Sequence, residues 1–60
     1  MKYQKGDLLM WKEDNVINRN NRERYMIIIQ HEPYVYRYID TGREDRYIDE
    51  LLEQATEKVG

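Results

Sequence analysis

A run of four aliphatic residues, Met26 to Ile29, constrains the fold of this chain more than any other feature. The segment 24–30 that contains it predicts the strongest β-strand of the sequence, because β-branched side chains favour extended backbone. Successive side chains of a strand point to opposite faces, so this strand is apolar on both. Such a strand is central in a sheet, or its outer face is covered by a helix or by a partner chain.

The core of the domain must come from aliphatic and aromatic side chains alone. The chain has 60 residues and no cysteine, which predicts a single domain, residues 1–60, without a disulfide or a thiolate metal site. A partner, including a second copy in a homodimer, would support so small a core. The aromatic residues are six tyrosines and one tryptophan. Each tyrosine hydroxyl needs water or a hydrogen-bond partner, so we expect most of these rings at the margin of the fold or at an interface.

Turn signals divide the rest of the chain into short extended segments. The turns are Gly6-Asp7, His31–Pro33 and Asp40-Thr41-Gly42. The further strands predicted between them are Leu8–Trp11, Tyr34–Ile39 and a polar edge strand at 43–47. Short strands joined by tight turns predict an antiparallel sheet. The fold class expected is therefore mainly β with a C-terminal helix, as a small antiparallel SH3-like barrel of four to five strands.

The C-terminal helix is predicted at about residues 48–58. Apolar residues recur there at the spacing of one helical face: Ile48, Leu51, Leu52, Ala55 and Val59. A helix of about a dozen residues is marginal in isolation, so it must dock on the remainder of the fold. We expect it to plug the open end or face of the barrel and to cover the apolar strand. The alternative is that its leucine stripe binds a groove on a partner or on a second copy.

The long polar segment 13–24 is the first candidate binding element. It contains Arg19, Arg22 and Arg24 among four asparagines and has neither a strand nor a helix period. Its arginines could contact phosphates while Trp11 or the tyrosines stack on bases. Against this, three carboxylates dilute the segment, and the net charge of −2 argues against a dedicated polyanion binder. A mostly structural loop is the alternative.

Three tyrosines of the aromatic strand form the second candidate element. Alternation puts Tyr34, Tyr36 and Tyr38 on one face, which we call the tyrosine ladder. Either the ladder packs under the helix with its hydroxyls at the rim, or it forms a protein-binding surface, since Tyr, Trp and Arg dominate interface energetics. The predicted partner-binding residues are Trp11, Arg19, Arg22, Arg24, Tyr34, Tyr36 and Tyr38. The remaining tyrosines, Tyr3, Tyr25 and Tyr47, are further candidates.

Catalysis and metal binding find little support in the residue pattern. The chain has no serine, and His31 and Glu32 are adjacent, so on a strand they would point to opposite faces. The carboxylates near the third turn (Asp40, Glu44, Asp45 and Asp49) are interrupted by arginines, which favours ion pairs on a solvated edge over a cation site. We therefore expect no enzyme activity, no cofactor and no bound metal.

Four pieces of the sequence follow one another in a recognisable order: Gly6-Asp7-Leu8-Leu9, Tyr34 to Tyr38, Asp40-Thr41-Gly42 and Asp49-Glu50-Leu51-Leu52-Glu53. This order resembles the minimal SH3-like barrels of the Tudor and KOW type. More closely, it resembles the small uncharacterised proteins of that shape in tailed phages. The resemblance implies the barrel but no defined activity, so no functional residue is carried over. The longer helical tail departs from the short ending of those proteins.

The function expected from these features is that of a non-enzymatic protein-interaction module, a phage accessory or host-targeting protein that binds a protein partner. The alternative is a small barrel that binds single-stranded nucleic acid. An apolar signal region is missing after Lys2, and the longest aliphatic run is too short to span a bilayer. We therefore expect no membrane partner and a cytoplasmic location, in the host cell if the chain is phage-encoded.

Overall fold

The computed structural model describes residues 2–13 and 22–60. Within them, five antiparallel strands form one sheet in the order β4-β3-β2-β1-β5. The elements are β1 (Leu8–Trp11), β2 (Tyr25–Gln30), β3 (Val35–Tyr38), β4 (Glu44–Arg46), α1 (Asp49–Ala55) and β5 (Thr56–Lys58). The predicted fold class is confirmed: the protein is mainly β, with a C-terminal helix, and is built as a small antiparallel barrel-like sheet. The aliphatic run occupies β2, at the centre of the sheet.

Cross-strand register sorts the side chains into an inner and an outer face. Leu9 of β1 lies opposite Met26 of β2, and Met26 lies opposite Tyr38 of β3. Directly opposed residues of an antiparallel sheet share a face, and these three side chains point inward. The neighbouring row, Leu8 opposite Ile27, therefore points outward. The alternation predicted from the sequence thus sets which side chains reach the core.

The core is unusually aromatic. The buried apolar side chains of the described residues form one cluster: Tyr3, Leu9, Trp11, Met26, Ile28, Tyr34, Tyr36, Tyr38 and Leu52. The polar atoms of these rings have partners. The Tyr3 hydroxyl lies 3.0 Å from the carbonyl oxygen and from Oγ1 of Thr56, and Trp11 Nε1 donates to the Tyr38 hydroxyl at 3.1 Å. No buried side-chain nitrogen or oxygen in the described part of the chain lacks a partner. The rings therefore supply apolar area without the cost of an unpaired hydroxyl.

The helix is shorter than predicted. The sequence predicted a helix over about 48–58, but α1 ends at Ala55 and residues 56–58 form β5 along the free edge of β1. The backbone N–H of Lys12 donates to the Ala55 carbonyl and that of Val59 to the Leu8 carbonyl, both at 2.8 Å. These hydrogen bonds satisfy backbone groups at the edge formed by β1. They join residues far apart in the sequence, so the helical spacing of apolar residues does not predict them.

The helix packs on the core without covering the outer face of β2. Leu52 is buried in the same cluster as Met26 and Ile28, which point inward, so α1 packs on the inner side of the sheet. The expectation that the helix docks on the remainder of the fold is confirmed, because Leu52 packs in the core. The expectation that it covers the second apolar face of the central strand is wrong, and Ile27 and Ile29 remain half-buried.

Candidate functional site

The tyrosine ladder belongs to the core. Tyr34, Tyr36 and Tyr38 are 0, 2 and 1% exposed, and Trp11 is 8% exposed. Rings so deeply buried offer no face to a partner, so the prediction that they form a partner-binding surface is corrected. The rings pack inside, as in the alternative interpretation, but their hydroxyls are not all at the rim: the Tyr34 hydroxyl donates to Glu53, whereas the Tyr38 hydroxyl accepts Trp11 Nε1 within the core. Burial is also the main reason that the pKa of Tyr36 is raised far above its ordinary value.

The structure describes two of the three arginines of the polar segment 13–24. Arg19 lies outside the described residues, and Arg22 is exposed. Arg24 is half-buried, and its Nε donates to the Trp11 carbonyl at 3.4 Å, which is a long contact. Between these two arginines, the Glu23 carboxylate pairs with Arg43 at 2.7 Å. The arginines that the structure describes therefore do not form a basic face clear of carboxylates.

An exposed apolar surface lies where β4 leads into α1. It consists of Tyr47, Ile48 and Leu51, which are 46, 67 and 42% exposed, and we call it the helix-entry patch. The Tyr47 ring packs edge-on against Trp11, with ring centroids 5.8 Å apart, so the patch is anchored on the core. A shallow depression of about 460 Å³ adjoins it. Its lining is Pro33, Arg46, Tyr47, Ile48, Asp49 and Glu50.

Two residues of the patch were assigned to the wrong face by their spacing. Ile48 and Leu51 fit the helical stripe predicted to be buried, yet in the two turns of α1 the core receives Leu52 and, in part, Ala55. Tyr47 was named among the further aromatic candidates, and it is exposed. A signal was available, because Ile48 precedes Asp49-Glu50, and acidic residues favour the first turn of a helix. That pattern places Ile48 at the helix boundary.

The surroundings of the helix-entry patch are acidic. The sequence of α1, DELLEQA, has three carboxylates and no basic residue. Asp49 accepts the backbone N–H of Tyr34 at 3.0 Å and so ties the helix start to the residue that precedes β3. Glu50 is exposed, and within the described part of the chain no ion pair neutralises it. Arg46 lines the same depression as Asp49 and Glu50, so the charge beside the patch is reduced but stays net negative, which favours a positively charged partner.

A hydrogen-bonded chain holds α1 to the N-terminal segment and to β3. The Tyr34 hydroxyl accepts the backbone N–H of Tyr3 at 3.0 Å and donates to the Glu53 carboxylate. That carboxylate also accepts the backbone N–H of Lys2 at 3.0 Å. Burial and the bond to Glu53 raise the pKa of Tyr34 to about 12. The Tyr34 hydroxyl and the Lys2 backbone lower the pKa of Glu53.

This chain of contacts predicts a measurable acid sensitivity. Because the pKa of Glu53 is lower in the folded protein, the ionised carboxylate stabilises the fold above its unfolded pKa of about 4.3. That contribution is lost as the pH falls through the folded value. We expect Glu53→Gln to lower the melting temperature at pH 7 and to have little effect in strong acid. Thermal melts of both proteins from pH 7 to pH 2 measure this, and a constant difference across that range would contradict it.

A second exposed surface lies on the outer face of the sheet. It is a groove of about 230 Å³, lined by Leu8, Arg24, Tyr25, Ile39 and Asp40, and we call it the outer groove. Tyr25 and Ile39 are 45 and 57% exposed. The backbone N–H of Ile39 donates to the Tyr25 carbonyl at 3.1 Å, which holds the two residues side by side. The groove combines an apolar lining with one arginine and one aspartate.

Other chemistry is not apparent in the described residues. They contain no group of three or more histidine, cysteine, aspartate or glutamate residues that could hold a metal ion. His31 is exposed in the turn between β2 and β3. Of the described residues, none belongs to a helix with the length and apolar character needed to cross a membrane.

Comparisons with protein-family models, with curated proteins and with solved structures found no match to this chain. The resemblance to the SH3-like barrels of tailed phages therefore stays an expectation. The helix-entry patch and the outer groove are the two exposed apolar surfaces of the described residues that could serve as a functional site.

Proposed function

We propose that this chain is a protein-interaction module and that the helix-entry patch is its contact surface. The observation that carries the proposal is the position of Ile48. It is the N-cap residue of α1, makes no side-chain cap hydrogen bond, and is 67% exposed. Isoleucine is among the least favourable N-cap residues, and an exposed side chain adds little to the core. Ile48 does not stand alone, since the exposed Tyr47 lines the same depression, and contiguous exposed apolar residues mark contact surfaces.

The residues around Ile48 support the same function. Tyr47 offers an aromatic ring held against Trp11, which limits the side-chain entropy lost on binding. Leu51 lies in the first turn of α1, three residues after the N-cap Ile48, and is a further exposed apolar side chain. Because α1 is acidic, the partner that fits best carries apolar side chains flanked by lysine or arginine.

The resemblance to tailed-phage proteins supplies the biological setting of the proposal. In that setting the chain is an accessory or host-targeting protein, acts in the host cytoplasm and binds a host or phage protein. It does so without catalysis. A homodimer through the same patch is a special case, in which the acidic helices would face each other.

Single-stranded nucleic acid is the second candidate partner. The exposed ring of Tyr25 beside Arg24, with Arg22 nearby, favours it, because a guanidinium and an aromatic face together can hold a nucleotide. Two observations weigh against it. Trp11 and the tyrosine ladder are too buried to stack on bases, and Asp40 lines the same groove as Arg24.

The substitution Ile48→Ser tests the proposal, because its effects on stability and on binding have opposite signs. Serine at the N-cap can accept a backbone N–H of the first turn, so we expect the variant to be more stable by about 0.5–1 kcal/mol. Loss of the apolar anchor should weaken partner binding by about 10-fold or more. Urea denaturation gives the first quantity.

Retention of proteins from a nuclease-treated bacterial lysate on the immobilised chain gives the second. His31→Ser is the control, since it changes an exposed side chain that lines neither the helix-entry patch nor the outer groove. A protein retained by the wild type and the control, but lost with Ile48→Ser, supports the proposal. Equal retention by Ile48→Ser contradicts it. Retention of nucleic acid alone, falling steeply with salt, would favour the second candidate.

A further inference from the structure

We infer that the outer groove is a second docking site, which takes an apolar side chain standing next to a carboxylate in a short peptide segment of a partner. The site is separate from the helix-entry patch. It prefers an acidic partner segment, whereas the helix-entry patch prefers a basic one. The inference goes beyond the proposed function and does not depend on it.

The shape of the outer groove suits one side chain. Its volume of about 230 Å³ is below the ~300–1,000 Å³ typical of pockets for small molecules. Leu8 and Tyr25 come from adjacent strands, and Ile39 follows β3 directly. Because the backbone of the sheet fixes all three, the groove exists without a partner. Preformed sites of this kind lose little entropy on binding.

The apolar lining of the groove has no role in the core. Tyr25 and Ile39 are about half exposed, whereas Met26 and Tyr38, their neighbours in the chain, are fully buried. The same strands therefore continue with apolar side chains on a face that folding leaves open. The helix, which the sequence predicted would cover this face, lies on the inner side of the sheet.

The charges of the outer groove favour a partner peptide in which an acidic residue stands next to the apolar side chain. Asp40 is already engaged, since its carboxylate accepts the backbone N–H of Glu23 at 2.9 Å and of Thr41 at 3.0 Å. Arg24 is not: its Nε makes only the long contact to Trp11, and no carboxylate of the described residues pairs with it. An unpaired guanidinium at the rim can bind a carboxylate through two parallel hydrogen bonds.

A peptide fits this groove better than a nucleic acid does. A phosphate at Arg24 would approach the Asp40 carboxylate, which lines the same groove, and would lie near Glu23. A peptide carboxylate meets the same two neighbours, so the advantage of the peptide is its apolar side chain, which fills the space between Leu8 and Ile39. A nucleotide has no aliphatic side chain of that size to place there, and Tyr25 offers a single ring for stacking.

The test uses a phage-displayed library of random 12-residue peptides selected on the immobilised wild-type chain. We expect enrichment of sequences that place Leu, Ile, Met or Phe within two positions of Asp or Glu. A synthetic copy of an enriched peptide is then titrated by fluorescence anisotropy. Ile39→Asp should weaken its binding about 10-fold or more, and Arg24→Gln about 5- to 10-fold.

Two controls separate the groove from the rest of the molecule. Ile48→Ser should leave the affinity for the peptide unchanged, so the outcome here is independent of the helix-entry patch. In a second peptide, the acidic residue is replaced by its amide (Asp by Asn, or Glu by Gln). This change should weaken binding to the wild-type protein but not to the Arg24→Gln variant, because a double-mutant cycle shows no further loss once one partner of the pair is gone. Ile39 is exposed, so Ile39→Asp is expected to fold, which its circular dichroism checks.

Four results would overturn the inference. They are no enrichment above that obtained with Ile39→Asp, enrichment of basic peptides that bind Ile48→Ser as tightly as the wild type, and binding that ignores both groove substitutions. The fourth is binding of a twelve-residue oligothymidylate that Arg24→Gln abolishes while no peptide is enriched.

Discussion

Tyr38→Ala is expected to leave a large fraction of the chain unfolded at 25 °C. The ring is buried, packs edge-on against Tyr36 at 5.4 Å between centroids, and lies under the guanidinium of Arg43 at 5.0 Å. Removal of a buried aromatic ring costs about 3–5 kcal/mol. A 60-residue domain has only about 3–9 kcal/mol of stability in total, so this one substitution removes much of it.

Tyr38→Phe is the matched control for that experiment. It keeps the ring but removes the acceptor of Trp11 Nε1, so we expect a smaller loss of about 1–3 kcal/mol. Urea denaturation followed by the fluorescence of Trp11, the sole tryptophan, measures both variants. A loss of unfolding free energy below about 1 kcal/mol for Tyr38→Ala would contradict a core position of the ladder. The ladder would then again be a candidate for an exposed binding surface.

The strands of this fold could be predicted from the sequence, because their determinants are local. The aliphatic run Met26 to Ile29, the turn at His31–Pro33 and the alternation of the three ladder tyrosines each act within a few residues. The structure places β2, β3 and the inward face of β3 accordingly. The long-range partners were not predictable in the same way. Whether the Tyr34 hydroxyl faces water or Glu53 depends on a residue 19 positions away.

The strand at residues 56–58 could not be predicted from the local sequence either. Residues 56–58 fit the helical spacing of apolar residues, and nothing within that segment predicts that the helix ends before it. The open edge of β1 supplies the reason, because its backbone groups gain partners only if a strand lies beside it. The exposure of Ile48 and Leu51 has a separate cause, because Ile48 precedes the helix as its N-cap and the core receives Leu52 and, in part, Ala55. Which face of so short a helix is buried depends on the sheet it packs against, and local periodicity does not detect that.

The adjacent leucines of α1 give the second large prediction. Leu52 is 0% exposed, whereas Leu51 is 42% exposed. We expect Leu52→Ala to lose about 2–5 kcal/mol, because it leaves a cavity where α1 meets the barrel core. Leu51→Ala should change the free energy of unfolding by no more than about 0.5 kcal/mol, as is usual for a surface position. Urea denaturation of the two variants measures the difference.

The two leucines also separate folding from binding, which no substitution in the tyrosine ladder can do. Both variants remove the same atoms from neighbouring positions, so helix propensity and the chemistry of the change are matched. If the helix-entry patch is the contact surface, Leu51→Ala weakens partner binding while the fold keeps its stability. Leu52→Ala weakens binding only in proportion to the fraction unfolded, and lower temperature or added stabilising osmolyte restores it. If both variants lose binding only as they lose stability, the contact surface lies elsewhere on the molecule.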